Sequence, residues 1–184
     1  MAGIKTVWDV LDFWFSERVR PLWFNSTPAF DRELTERFLA TYQAAAAGAL
    51  DGWAATPEGA LALVIVLDQF PLNMFRGRPE SFATEAHARD VARRAIDNGF
   101  DQSLSGEQKG FLYLPFMHSE ELRDQDRSVE LYEKAGLEDS LRWARHHREL
   151  IRRFGRFPHR NAILGRESTP QEREYLASKD AFLG

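Results

Sequence analysis

Two short stretches of this chain place residues that bind or move charge at the same spacing. Phe70-Pro71-Leu72-Asn73-Met74-Phe75-Arg76-Gly77-Arg78 is one, and Phe157-Pro158-His159-Arg160-Asn161-Ala162-Ile163-Leu164-Gly165-Arg166 is the other. Both open on Phe-Pro and both contain Asn, any residue, a large apolar residue, any residue, Gly, Arg. Proline ends a helix, asparagine bonds local backbone in a turn, and glycine permits a bend that leaves arginine projecting. Two helix-exit loops would account for that much. The surplus is the arginines, Arg76 in the first stretch and Arg160 in the second, with Arg156 just before the second and His159 within it. Guanidinium groups on loops over a rigid scaffold are suited to holding a phosphate or carboxylate. Asp68 follows eight apolar residues and so is expected to be buried. A carboxylate there needs a cationic partner, and Arg76, Arg156 or Arg160 could supply it.

A third stretch is Tyr113-Leu114-Pro115-Phe116-Met117-His118-Ser119-Glu120. Its proline interrupts an apolar run and sets His118 and Glu120 at a bend. An imidazole titrates near neutrality, which makes His118 and His159 the candidates for general acid or base. His147 shares a helix face with Leu150, Ile151 and Phe154 and reads as a satisfied core histidine. The candidate ligand-binding set is Asp68, Asn73, Arg76, His118, Glu120, Arg156, His159, Arg160 and Asn161. The five histidines form no metal-ligand spacing, and there is no nucleotide fingerprint, phosphate loop, nucleophile elbow or zinc-protease motif. No metal and no cofactor is expected.

The elements that position these residues are helices. Thr6 with Asp9, Ser105 with Gln108 and Thr169 with Glu172 have the spacing of capping boxes. Thr27-Pro28 and Thr56-Pro57 put proline in a first turn, and Gly48, Gly99 and Gly136 fall where helices stop. The helix begun at Thr56-Pro57 is expected to run to about Phe70, and the one begun at Ser105 to about Leu114, where Pro115 must kink or end it. No stretch alternates with period two for long enough to build a sheet. The fold class is all-α, about eight helices in antiparallel pairs, within a single domain over residues 1–184. Between Glu120 and Asp139 there are eight acids, and between Arg142 and Arg166 eight arginines with one acid, Glu149. These read as two solvated faces meeting across a helical hairpin.

Bulk properties bound the function. A chain of 184 residues, 43% hydrophobic and 28% charged, has the composition of a globular domain. No cysteine is present, which excludes disulfides, thiolate metal sites and cysteine nucleophiles. A net charge of −4 supplies no basic field for nucleic acid. The longest apolar run, Ala60 to Leu67, is too short to span a bilayer, and Asp9 and Asp12 break up the N-terminal apolar stretch. No membrane and no nucleic-acid partner is expected, and the cytoplasm is the expected compartment.

The runs from Leu67 to Pro71 and from Asn73 to Gly77, the stretch from Tyr113 to Glu120, and Gly155 to Asn161 through Gly165-Arg166 together resemble a bacterial family called domain of unknown function 924. The opening Val10-Leu11-Asp12-Phe13-Trp14-Phe15 fits the same resemblance, which covers almost the whole chain. It implies a tetratricopeptide-like fold, helix pairs stacked in a right-handed array, and it carries no reaction to transfer. Leu72 departs from the family pattern, which has a basic residue before the Asn. Two functional expectations follow. One is a site for a small anionic molecule where the two Phe-Pro loops and the His118 bend converge. The other is a protein or peptide partner held by a helical array, with the polar motifs serving as braces.

Overall fold

A computed structural model describes residues 3–183. Its helices are α1 (Val7–Trp14), α2 (Pro28–Ala46), α3 (Pro57–Val64), α4 (Phe70–Met74), α5 (Glu85–Asp97), α6 (Gly106–Met117), α7 (Leu122–Lys134), α8 (Glu138–Phe154) and α9 (Pro170–Leu176). A π-turn, Ile65–Gln69, joins α3 to α4 without a break, so the described residues hold eight helical rods and no strand. The capping boxes form as the spacing requires: Thr6 with Asp9, Ser105 with Gln108, Thr169 with Glu172. Thr27 and Thr56 cap α2 and α3 through their side chains.

Contacts group the chain into two compact units, the first reaching Arg76 and resuming over Glu80–Pro115, the second comprising Gly77–Pro79 and the residues from Phe116 on. In the first unit α3 is the central rod. Every residue from Ala60 to Leu67 is fully buried, as a helix that is apolar all round must be. It packs on α1 and α5, while α2 packs on α4 and the π-turn. Close packing against the preceding connection explains Gly59: a Cβ there would meet the Trp53 carbonyl oxygen at 2.0 Å. Trp14 fills the space between Phe70 and Phe111, with ring centroids 5.6 Å from each.

Pro71 departs from the sequence expectation, and the helix through Pro115 runs beyond its expected end near Leu114. Pro71 does not end the helix, which runs on to Met74. A proline inside a helix has no N–H for the carbonyl four residues back and crowds it. Here the backbone widens to a π-turn just before Pro71, and the Leu67 carbonyl takes a hydrogen bond from the Thr84 hydroxyl. Pro115 likewise sits inside α6, which continues to Met117. Beyond it, the buried Gln125 side-chain amide donates to the carbonyls of Met117 (2.6 Å) and Ser119 (2.7 Å), closing the helix end from a distance.

In the second unit α7 and α8 form a hairpin around Gly136, which has φ +68°. Arg145 pairs with Glu133 at 2.9 Å and Arg148 with Asp126 at 3.2 Å, so numbers fall along α7 as they rise along α8. The helices are antiparallel and the two charged faces meet. A small core of Leu150, Ile151, Phe157 and Tyr175 lies between α8, the loop after it and α9, with Phe182 packed against it.

Candidate functional site

The nine residues singled out by sequence divide between the units: Asp68, Asn73 and Arg76 in the first, and His118, Glu120, Arg156, His159, Arg160 and Asn161 in the second. In the first, Asp31 gathers the motif. It lies in the opening turn of α2, where helix dipole favours an acid. Asn73 donates to Asp31 Oδ1 at 2.7 Å and to Ser26 Oγ at 3.0 Å, and Arg76 Nε reaches Asp31 Oδ2 at 2.9 Å. Burial works to raise the Asp31 carboxyl, but Arg76, Asn73 and Ser26 outweigh it and hold the group below its ordinary range. The motif thereby ties the end of α4 to the start of α2. Asp68 is buried on the π-turn and accepts a hydrogen bond from Gln69 Nε2 at 2.7 Å.

The second motif builds a longer network. Glu120 accepts the Phe157 N–H at 2.7 Å and both terminal nitrogens of Arg166, at 2.6 and 2.9 Å. Arg166 Nε turns to Asn161 Oδ1 at 3.0 Å, and Asn161 Nδ2 continues to Glu172 Oε2 at 3.1 Å. Arg156 closes the chain with a two-pronged bond to Glu172, at 2.7 and 2.8 Å. Burial pushes the Glu120 carboxyl up, and Arg166 with the Phe157 N–H brings it below the ordinary value. Arg156, ahead of the Thr169 N–H and Asn161, holds Glu172 down at about 2. Both acids are therefore carboxylates with both oxygens engaged. Glu120, Arg156 and Asn161 serve to hold the loop over 157–166 in shape.

What that network does not use is a group of imidazoles. His147 is buried on α8, and its Nδ1 lies 2.9 Å from the Trp143 carbonyl, so the proton sits on Nδ1 and Nε2 is left as a base. Burial lowers it to about 3. His159 is lowered to about 4, first by burial and then by the charge of Arg160 beside it. Its Nδ1 is buried and has no hydrogen-bond partner. His118, half-buried at the end of α6, lies within electrostatic reach of both. Arg160 is buried with its guanidinium 4.8 Å from the Phe157 ring centre. Phe182 stacks edge-on against His147 and His159, at 4.8 and 5.0 Å. Among the described residues, no group of three or more histidine or acidic side chains is placed to hold a metal ion.

Sequence reasoning missed Asp31, Ser26 and the second role of Glu172. Their partners lie 42, 47 and 16 residues away along the chain, and only the fold brings them close. Arg166 was visible as the last residue of the repeated motif.

A family model described as bacterial protein of unknown function, DUF924, matches residues 10–180. The chain belongs to that family. A protein of unknown function from Agrobacterium tumefaciens has a solved structure similar to this DUF924 chain, at 45% identity and a TM-score of 0.88. The superposition covers 93% of this chain and 96% of that one. No curated protein matches this DUF924 member.

Proposed function

We propose that this protein binds a small anionic molecule in its second unit, at His159, Arg160 and His118 on the loop and bend that flank α7 and α8. The observation that supports this reading is the buried Nδ1 of His159 without a partner. At neutral pH the ring is uncharged, and an anion set against Nδ1 selects the tautomer with the proton there, a buried donor whose acceptor is the ligand. Such a group costs free energy until something accepts from it. Arg160 supplies positive charge beside it, so an oxyanion suits these two groups in sign and in hydrogen bonding. Neither role requires a reaction, and His118 and His159 are the groups positioned to move a proton if one occurs.

The alternative is a helical array that holds a protein or peptide. The antiparallel hairpin of α7 and α8 supports a tetratricopeptide-like arrangement, and the reciprocated bonds around Asp31, Glu120 and Glu172 suit braces. No described helix is long and apolar enough to cross a membrane. With the absence of cysteine, that is consistent with a bacterial cytoplasmic protein.

The two readings separate on the side-chain nitrogen resonances of His159 during titration with acetate and then inorganic phosphate. Anion binding should shift the His159 Nδ1 signal saturably and raise its pKa, because a nearby negative charge favours the imidazolium. Arg160→Gln should weaken both effects. An unresponsive His159 resonance removes the anion site and leaves the brace.

A further inference from the structure

The second unit carries a cavity of about 470 Å³ lined by Arg153, Phe154, Arg156, Thr169, Gln171 and Glu172. It is open to solvent, and its volume falls within the range of about 300–1,000 Å³ of small-molecule sites. Its hydrogen-bonding groups are lopsided. The one acid in the wall is spent: Glu172 takes Arg156 Nε on Oε1, and Arg156 Nη2, Asn161 Nδ2 and the Thr169 N–H on Oε2. The donors are not spent. Arg156 engages Glu172 and the Glu167 carbonyl through Nε and Nη2, leaving Nη1 unused. The Thr169 hydroxyl accepts from the Glu172 N–H and keeps its own hydrogen to give. Arg153 makes no ion pair among the described residues. Its guanidinium is instead laid against rings, 4.7 Å from the centre of Phe154 and 5.8 Å from that of Tyr175.

A guanidinium laid over a ring keeps its N–H groups free to hydrogen-bond to something else. Arg156 is fixed more firmly, by its two-pronged bond to the buried Glu172. A guanidinium held in place in this way before any ligand arrives loses little side-chain freedom on binding. The wall then carries two arginines against one acid, with Phe154 as its apolar surface.

We propose that this cavity is a binding site for an organic oxyanion, a carboxylate or phosphate on a small apolar body, with the Arg153 fork and Arg156 Nη1 on the oxyanion. The site shares no residue with the His118, His159 and Arg160 group, and it stands whether or not that group binds an anion.

The test is a titration of the full chain with phenyl phosphate and with benzoate, followed through the Arg153 Nε and the Thr169 and Gln171 amide resonances. Benzyl alcohol is the uncharged control. Saturable shifts at these three residues with either aryl oxyanion, weakened about tenfold or more by Arg153→Gln, are the expected result. The tighter of the two ligands identifies the head group. Arg153 is exposed, so the variant should fold, and an unchanged amide spectrum elsewhere confirms that it does. Binding that survives Arg153→Gln undiminished overturns the proposal, as does equal binding of benzyl alcohol. Shifts at His159 alone would overturn it too while sustaining the separate histidine reading.

Discussion

Glu172 and Glu133 both pair with an arginine, yet burial separates what the two bonds contribute. The Glu133–Arg145 pair is exposed, with 61% and 56% of the side chains accessible, and water and salt screen it. Arg145→Ala should change stability by about 0–1 kcal/mol. The Glu172 side chain is only 2% exposed and accepts four hydrogen bonds, so Glu172→Gln removes charge where nothing else can replace it. A fully buried pair would lose about 3–5 kcal/mol. Arg156 is 27% exposed, however, and water can hydrate it once the acid is gone. The loss expected for Glu172→Gln is therefore about 1–3 kcal/mol, the cost of hydrogen bonds rather than of a stranded charge. Urea unfolding of the two variants beside wild type checks both values. An Arg145→Ala loss as large as that of Glu172→Gln would mean that burial does not rank these pairs.

Among elements, the rod through α3, the π-turn and α4 depends on a bond made from outside it. Thr84 precedes α5 but makes no capping bond with its side chain; its hydroxyl goes to the Leu67 carbonyl instead. Thr84→Val keeps the shape and removes that donor, leaving a buried carbonyl short of a partner that Pro71 cannot supply. The expected loss is about 1–3 kcal/mol, with the helix content seen by circular dichroism unchanged. A neutral Thr84→Val would show that the π-turn satisfies itself. This bond also marks the limit of what the chain reveals in one dimension. The caps at Thr6, Thr27, Thr56, Ser105 and Thr169 were legible because each bond closes within three residues. The passage of the helix through Pro71 was not, because the compensating group, Thr84, lies 17 residues from the Leu67 carbonyl it bonds, and the closing of the end of α6 was not, because Gln125 lies 8 residues from the Met117 carbonyl. The candidate site divides the same way. The Asn-Gly-Arg motifs stood out in sequence, whereas the acids that engage them, Asp31 and Glu172, looked like ordinary first-turn residues of helices.

For the molecule as a whole, these groups set two windows of acid sensitivity that overlap only below about pH 4.5. His147 and His159 are held at about 3 and about 4, while an unfolded chain takes up those protons near 6.5. Below that value the unfolded state binds protons that the native state refuses. Stability is therefore complete above about pH 6.5 and falls as the pH drops towards 4, by on the order of 1 kcal/mol per pH unit for each ring. Glu172 acts later. Its native value of about 2 lies below the ordinary carboxylate range, so its contribution is intact above roughly pH 4.5 and is lost only as the pH falls further. Between pH 7 and pH 5 the two buried imidazoles should then govern the change. Urea midpoints at those two pH values should fall for wild type and fall about half as far for His147→Phe, which keeps a ring against Phe157 and Phe182 but cannot take a proton. Glu172→Gln should lower both midpoints equally and leave the difference between them alone. If His147→Phe shows the full wild-type difference, the imidazole on α8 is already charged in the folded protein, and the neutral, buried group described here does not exist.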